Sequence, residues 1–98
     1  MIDQFVLLYI HSPRELVFGY VQQLTPAGIA IRGIPVDQIE TFKYQFKNEE
    51  HSVFFQTVFY PMHRVERVIA DERQGKLPST LEDILAASQL SESEIRNL

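Results

Sequence analysis

The sequence predicts a mainly β domain: a five-stranded small β-barrel with one helix inserted between strands three and four and a helical C-terminal tail. Two observations favour this fold class. Five short runs rich in β-branched and aromatic residues alternate with turn residues, and they are too short for helices. After Pro35 the apolar residues instead recur every three or four positions, which is typical of a helix.

Turn chemistry separates the predicted strands. Ser12-Pro13-Arg14-Glu15 follows the first strand, and Thr25-Pro26-Ala27-Gly28 suits a type I turn that joins the second and third strands as a hairpin. Gly19, in the centre of the second strand, predicts a sharp bend or a close backbone approach. The fourth strand gives the strongest strand signal and ends at Pro61. The predicted strands span residues 1–11, 16–24, 28–33, 52–60 and 64–70.

The inserted helix is predicted over residues 36–47, where Val36, Ile39, Phe42 and Phe46 form an apolar stripe. Pro35 stands where the first helical turn tolerates proline. A period of two, which would indicate a strand, also fits the aromatic residues of this segment, and 48–51 is the expected exit loop.

Two Ser-x-x-Glu patterns indicate capping boxes near the C-terminus, at Ser79–Glu82 and at Ser91–Glu94. We therefore expect a short helix from about residue 80 to 88 and a last helical turn after it. The predicted organisation is a barrel domain over 1–71, including the helix 36–47, and a polar linker with a helical tail over 72–98.

Composition excludes several classes of protein. The chain has 98 residues, 45% of them hydrophobic, so we expect one globular domain. It contains no cysteine, which excludes disulfides and thiolate metal sites. The longest apolar run has six residues, where a membrane span needs roughly 20, so we expect a cytoplasmic protein with no membrane partner. The net charge is −4, and no basic field is available to attract nucleic acid.

The strand order resembles that of the Sm-like and SH3-like small barrels, among them the bacterial Sm-like RNA chaperones. The resemblance covers about residues 4–70 and rests on the runs Phe5–Leu8, 16–24 with Gly19, Gly28–Ile31 and 54–63. It implies RNA binding through the loops that follow strands two and four. The first loop here is Thr25-Pro26-Ala27-Gly28, which lacks the polar Asp or Asn of that family. The family also carries its helix before strand one, whereas the helix predicted here follows strand three.

The loop after strand four keeps an aromatic residue and two basic ones, so Tyr60, His63 and Arg64 are candidate RNA contacts. The simpler interpretation is that Tyr60 packs in the core, His63 is solvated, and Arg64 pairs with Glu66 or with an acid of the tail. We favour the simpler interpretation because the charge of the chain disfavours nucleic acid.

No residue pattern indicates catalysis. The three histidines lack metal-ligand spacing, the serines lack the glycines of a nucleophile elbow, and no glycine-rich phosphate loop is present. We therefore expect no enzyme activity, no catalytic residue, no metal and no cofactor.

The first and fourth predicted strands are apolar on both faces, although one barrel core uses only one face of each. Either the inserted helix covers the second face, or another protein surface does. Phe54, Val58 and Tyr60 on the fourth strand are the candidate interface for the second case. The function expected from the sequence is thus a non-enzymatic interaction module that self-associates, as a homo-oligomer, or docks on a protein partner. The alternative is an Sm-like RNA binder.

Overall fold

The computed structural model describes residues 1–47 and 51–98, so residues 48–50 of the predicted exit loop lie outside it. In the described ranges the chain forms five strands and three α-helices, with short 3-10 turns at Val36–Gln38 and Met62–Arg64. The elements are β1 (Phe5–Ile10), β2 (Glu15–Thr25), β3 (Gly28–Pro35), α1 (Ile39–Gln45), β4 (Gln56–Pro61), β5 (Val65–Ala70), α2 (Thr80–Ser88) and α3 (Glu92–Arg96).

The strands form one antiparallel sheet in the order β4-β3-β2-β1-β5. The hairpin predicted at Thr25–Gly28 joins β2 to β3. β4 and β5 are the two edges, and within the described residues they do not pair with each other. The five-stranded sheet with helices is confirmed. Closure of that sheet into a barrel is not confirmed.

β2 and β3 approach each other closely at two glycines. Gly19 pairs with Gly33, and a Cβ on Gly19 would lie 2.7 Å from the Cα of Gly33 and would overlap the carbonyl oxygen of Arg32. A register shift follows between Val21 and Gln23, and such a bulge increases the local twist of a sheet. The close approach predicted at Gly19 is confirmed, and its partner is β3.

The sheet buries apolar side chains on both faces. The three helices cover the first, which we call the helix face, and the residues beneath them form the helix-covered core. On the opposite face, side chains from the strands themselves form a sheet-only core; Val65 and Val68 of β5 pack at its margin. Because several of its residues are fully buried without a described helix above them, the sheet must curve over this face. The helix-covered core comprises Phe5, Phe18, Tyr20, Ile34, Ile39, Phe42, Val53, Phe55, Ile84 and Ile95, and the sheet-only core comprises Val6, Leu8, Ile10, Val17, Val21, Ile29, Ile31 and Tyr60.

The predicted inserted helix is present as α1, and its apolar stripe packs on the helix face. The rings of Phe42 and Phe55 lie 5.2 Å apart between centroids. The helix therefore covers the side of Val53 and Phe55, whereas Phe54 and Val58, on the face for which cover by the helix was one of two alternatives, remain exposed. An alternating pattern shows that both faces of a segment are apolar, but it does not show which of them a helix will cover.

β4 begins at Gln56, four residues later than predicted, because the segment before it binds α1 instead of β3. The side-chain amide of Gln45 donates to the carbonyl oxygen of Val53 at 2.8 Å. Its oxygen accepts from the backbone N–H groups of Ser52 and Val53 at 3.1 and 3.0 Å. These bonds satisfy backbone groups that a strand would have paired with a neighbour.

Both predicted capping boxes are present, at the N-termini of α2 and α3. Asp71 supports the first, since its two carboxylate oxygens accept from the N–H groups of Thr80 and Leu81. Ile84 of α2 and Ile95 of α3 are fully buried in the helix-covered core. The segment predicted as a linker and tail, 72–98, therefore completes the core of the same chain.

The ammonium group of Lys43 on α1 links this helix to α2. It forms salt bridges with Asp83 of α2 at 2.8 Å and with Glu40 of α1 at 3.1 Å. The hydrogen bond that Lys43 donates to Asp83 raises the pKa of Lys43, burial opposes that change, and the hydrogen bond that it donates to Glu40 raises the pKa further. A buried charge paired in this way is a structural link between two helices, because both carboxylates neutralise it.

Candidate functional site

The outer edge of β4 is the most distinctive free surface of the sheet. β4 pairs with β3 from Gly28↔Pro61 to Gly33↔Gln56, and within the described residues its other side has no strand neighbour. The sequence of β4 contains no charged residue, and neither do 52–55 before it or Met62 after it. Natural edge strands are usually protected by charges, by bulges or by a covering element. Among the described residues β4 pairs with β3 without a bulge and carries no charge in its own sequence, and the guanidinium of Arg32 on β3 donates to the hydroxyl of Thr57 at 3.2 Å.

The uncharged surface continues onto the hairpin of β2 and β3, because residues 16–31 also lack charges. Depletion of charged residues together with exposed aromatic and methionine side chains is the composition of protein interfaces. We call the exposed apolar side chains of this region the β4 edge surface: Leu24, Phe54, Val58, Phe59 and Met62.

The three residues predicted as an interface do not share one environment. Phe54 precedes β4 and is 64% exposed, and Val58 is 36% exposed in the middle of the strand. Tyr60 is only 7% exposed, because its ring belongs to the sheet-only core. The side chains of Phe54 and Val58 are therefore accessible to a partner, whereas most of the Tyr60 side chain is buried.

Sequence reasoning missed Phe59, which is 53% exposed. The alternating pattern placed it with Val53 and Phe55, on the face opposite the predicted interface residues, and the structure shows that this is the helix face. Its side chain does point to that face, but α1 covers only the segment before β4. Its ring lies against Gly28, where a Cβ would come within 2.6 Å of a ring carbon. In the sequence, the signal for this ring position was Gly28, a glycine opposite the end of an aromatic strand.

The candidate RNA residues follow the simpler interpretation in two of three cases. Tyr60 is packed in the core, where burial is the main cause that raises its pKa. Arg64 donates to the carboxylate of Glu15 at 2.9 Å and to the carbonyl oxygens of His11 and Pro13 at 3.3 and 3.2 Å. Its partner is therefore Glu15 instead of Glu66 or an acid of the tail. His63 is exposed in the turn before β5.

The guanidinium of Arg64 also lies 5.7 Å from the centroid of the Tyr60 ring. This cation–π contact and the bonds to Glu15, His11 and Pro13 hold the side chain against the loop after β1. A phosphate or a base would have to displace these contacts to reach either residue.

Two adjoining open cavities, of 490 and 380 Å³, lie beside this ion pair. Both include Glu15, Val17 and Pro35 in their walls, so they form one groove between the start of β2, the end of β3 and β4. Its charged side chains other than the Arg64–Glu15 pair are Arg14 and Asp37, one of each sign. The groove therefore has no net charge with which to select a charged ligand.

Groups suited to metal binding do not converge in the described parts of the chain: no three His, Asp or Glu side chains lie close enough together to hold an ion. Among the helices of those parts, none is long and apolar enough to cross a membrane. Comparisons of the chain with protein-family models, with curated proteins and with solved structures found no match.

Proposed function

We propose that this chain is a non-enzymatic interaction module that docks through the β4 edge surface, either on a second copy of itself or on another protein. One observation carries the proposal. A six-residue edge strand without charge is open on its outer side, and Val58 and Phe59 on it and Phe54 beside it are exposed. Unpaired backbone groups on an edge strand are a template for pairing with another chain, and exposed aromatic side chains add apolar area to such contacts.

The proposal includes a relationship with the Sm-like and SH3-like small barrels. Supporting features are the strand order β4-β3-β2-β1-β5, the bend at Gly19 and the short turn between β4 and β5. The sheet-only core is also what the interior of such a barrel would contain. In this proposal the sheet is a partly open barrel whose two edges face outward.

RNA binding through Tyr60, His63 and Arg64 is the second candidate function. It has less support because Tyr60 is buried and Arg64 already forms a salt bridge with Glu15. It would require Arg64 to leave its carboxylate partner. Titration with short single-stranded RNA at low salt tests it, since binding through phosphates is strongest there. Binding that is lost in Arg64→Gln and kept in Val58→Lys would replace the first proposal by this one.

Light scattering after size exclusion, from micromolar to millimolar protein, tests self-association. We expect the mass to rise with concentration for the wild type and to stay at one chain for Val58→Lys, because a lysine protects an edge strand. Ile69→Lys is a matched control, since Ile69 is a β-branched residue on the other edge, β5, and is 37% exposed.

Self-association that Val58→Lys and Ile69→Lys weaken equally would contradict a specific role of β4. A wild-type chain that remains monomeric at every concentration would exclude self-association and leave only the docking of a different protein.

A further inference from the structure

We infer that the partner of β4 is β4 of a second copy, paired antiparallel about a two-fold axis at Val58. The inference rests on the proposed function, because it requires that the β4 edge surface self-associates. It goes further in naming the partner strand, the symmetry and the register.

The hydrogen-bonding alternation of the β3–β4 pair shows which backbone groups of β4 point outward. The N–H of Met62 donates to the carbonyl oxygen of Ala27 at 2.9 Å, so these two residues form a hydrogen-bonded pair in the register of the two strands. Such pairs alternate along an antiparallel ladder, so Tyr60, Val58 and Gln56 also bond to β3. The N–H and C=O groups of Thr57 and Phe59 therefore point away from the sheet.

Three symmetric registers could use these groups. Centring on Phe59 allows four hydrogen bonds, two between the copies of Phe59 and two from Thr57 N–H to the carbonyl oxygen of Pro61, but it leaves both Thr57 carbonyl oxygens unpaired because Pro61 has no N–H to donate. Centring on Thr57 pairs Phe59 with Phe55, but Phe55 lies before the strand and is buried in the helix-covered core. Centring on Val58 pairs Thr57 with Phe59 of the second copy and Phe59 with Thr57. That register makes four hydrogen bonds from residues that are already extended.

The absence of charge on β4 suits a symmetric interface. At a two-fold axis a residue meets its own copy, so any charge there would face a like charge. In the proposed register Val58 meets Val58 as a non-hydrogen-bonded pair, in which the side chains of opposite strands are closest. Each exposed Phe59 would lie beside Thr57 of the second copy on the helix face.

The other edge is a poorer partner for β4. β5 carries Glu66 and Arg67, and its pairing with β1 shifts register between Tyr9 and Ile10, so it has two of the usual protections of an edge strand.

Pairing β4 antiparallel with β5 would also bring unlike faces together. The backbone N–H of Asp71 donates to the carbonyl oxygen of Phe5, so these two residues form a hydrogen-bonded pair at the end of the β1–β5 ladder. Because such pairs alternate along the ladder, the outward backbone amides of β5 belong to Val68 and Ala70, whose side chains lie on the side of the sheet-only core. Those of β4 belong to Thr57 and Phe59, on the helix side. The isologous pair instead joins helix face to helix face and continues one sheet across both copies.

Disulfide trapping tests this register directly, because the natural chain has no cysteine and any disulfide in a single-cysteine variant must join two chains. Cα atoms of a non-hydrogen-bonded pair are about 4.5 Å apart, which lies within the range of disulfides. We expect Val58→Cys to form a covalent dimer under mild oxidation. Thr57→Cys is the control, since diagonal neighbours are about 7–8 Å apart, too far for a strain-free disulfide.

We expect Val58→Cys to cross-link at least about tenfold faster than Thr57→Cys, because pairing gives it a high effective concentration of its partner thiol. The difference should vanish in denaturant. Faster cross-linking of Thr57→Cys would overturn the register. A wild type that dimerises by light scattering while Val58→Cys does not cross-link would overturn the isologous pair and leave self-association standing. A strictly monomeric chain would remove both.

Amide hydrogen exchange of the wild-type chain gives a second test that needs no variant. The amides of Thr57 and Phe59 should become protected as the protein concentration rises, while the amide of Val58, which bonds to β3, should be protected throughout. Concentration-independent exchange at Thr57 and Phe59 in a chain that does dimerise would overturn the inference.

Discussion

Replacing Ile84 with alanine measures how much the C-terminal segment contributes to the fold. The side chain is fully buried in the helix-covered core. Truncating a buried isoleucine to alanine costs about 2–5 kcal/mol, because transfer free energy is lost and a cavity is left. The higher helix propensity of alanine returns about 0.4 kcal/mol in α2. We therefore expect a loss of about 3 kcal/mol in the free energy of unfolding.

Urea unfolding and thermal melting followed by circular dichroism measure this change. For a domain of this size, 1 kcal/mol shifts Tm by about 4–8 °C, so Tm should fall by about 12–24 °C. Leu77→Ala is the control, since Leu77 precedes α2 and is exposed, and it should change stability by less than about 0.5 kcal/mol. If Ile84→Ala unfolded at the wild-type midpoint, the segment 72–98 would not be part of the core and Ile84 would not be packed in the helix-covered core.

Three further predictions concern other contacts. Gly33→Ala should lose about 2 kcal/mol or more in chemical denaturation, because its Cβ would overlap the carbonyl oxygen of Phe18 in the next strand; wild-type stability would contradict the close approach. Arg96→Ala should lose about 1 kcal/mol, since its guanidinium lies 4.6 Å from the ring centroid of Phe5, and Arg96→Lys should recover part of the loss. The hydrogen bond from Arg73, and then that from the Ser79 N–H, lower the pKa of Glu82 to about 2. The ionised form therefore stabilises the fold above pH about 4.5, and this contribution is lost as pH falls towards 2. An acid titration of unfolding should accordingly be shallower for Glu82→Gln, and identical slopes would count against the ion pair.

Local sequence signals predicted the elements of the fold well because they depend on neighbouring residues. The turn at Thr25–Gly28, the change of period after Pro35 and the two capping boxes all act within about four residues of the chain. Contacts between distant segments were not predicted. The start of β4 depends on Gln45, and the pairing of Arg64 depends on Glu15, 49 positions away in the chain.

In the candidate site, too, local patterns were predictive and contacts between distant segments were not. Alternation on the fourth strand correctly indicated more apolar surface than one core uses, and it picked out Phe54 and Val58, which are exposed. It could not separate Tyr60 from them, because a side chain at the same face of a strand is buried or exposed according to how far the sheet curves. Phe59 was missed for a related reason: the helix that covers its face ends short of it.

The contact between β2 and α3 bears on the order in which the molecule folds. The hydroxyl of Tyr20 donates to the carbonyl oxygen of Arg96, 76 positions along the chain, whereas strands β1 to β3 meet through short hairpins. Closing a long loop costs more entropy than closing a hairpin, so contacts of high sequence separation tend to form late. We expect the hairpins to be structured in the folding transition state and α3 to dock after it. Substitutions in α3 should then accelerate unfolding and leave the folding rate nearly unchanged, so the contacts of the last helix contribute to the lifetime of the native state.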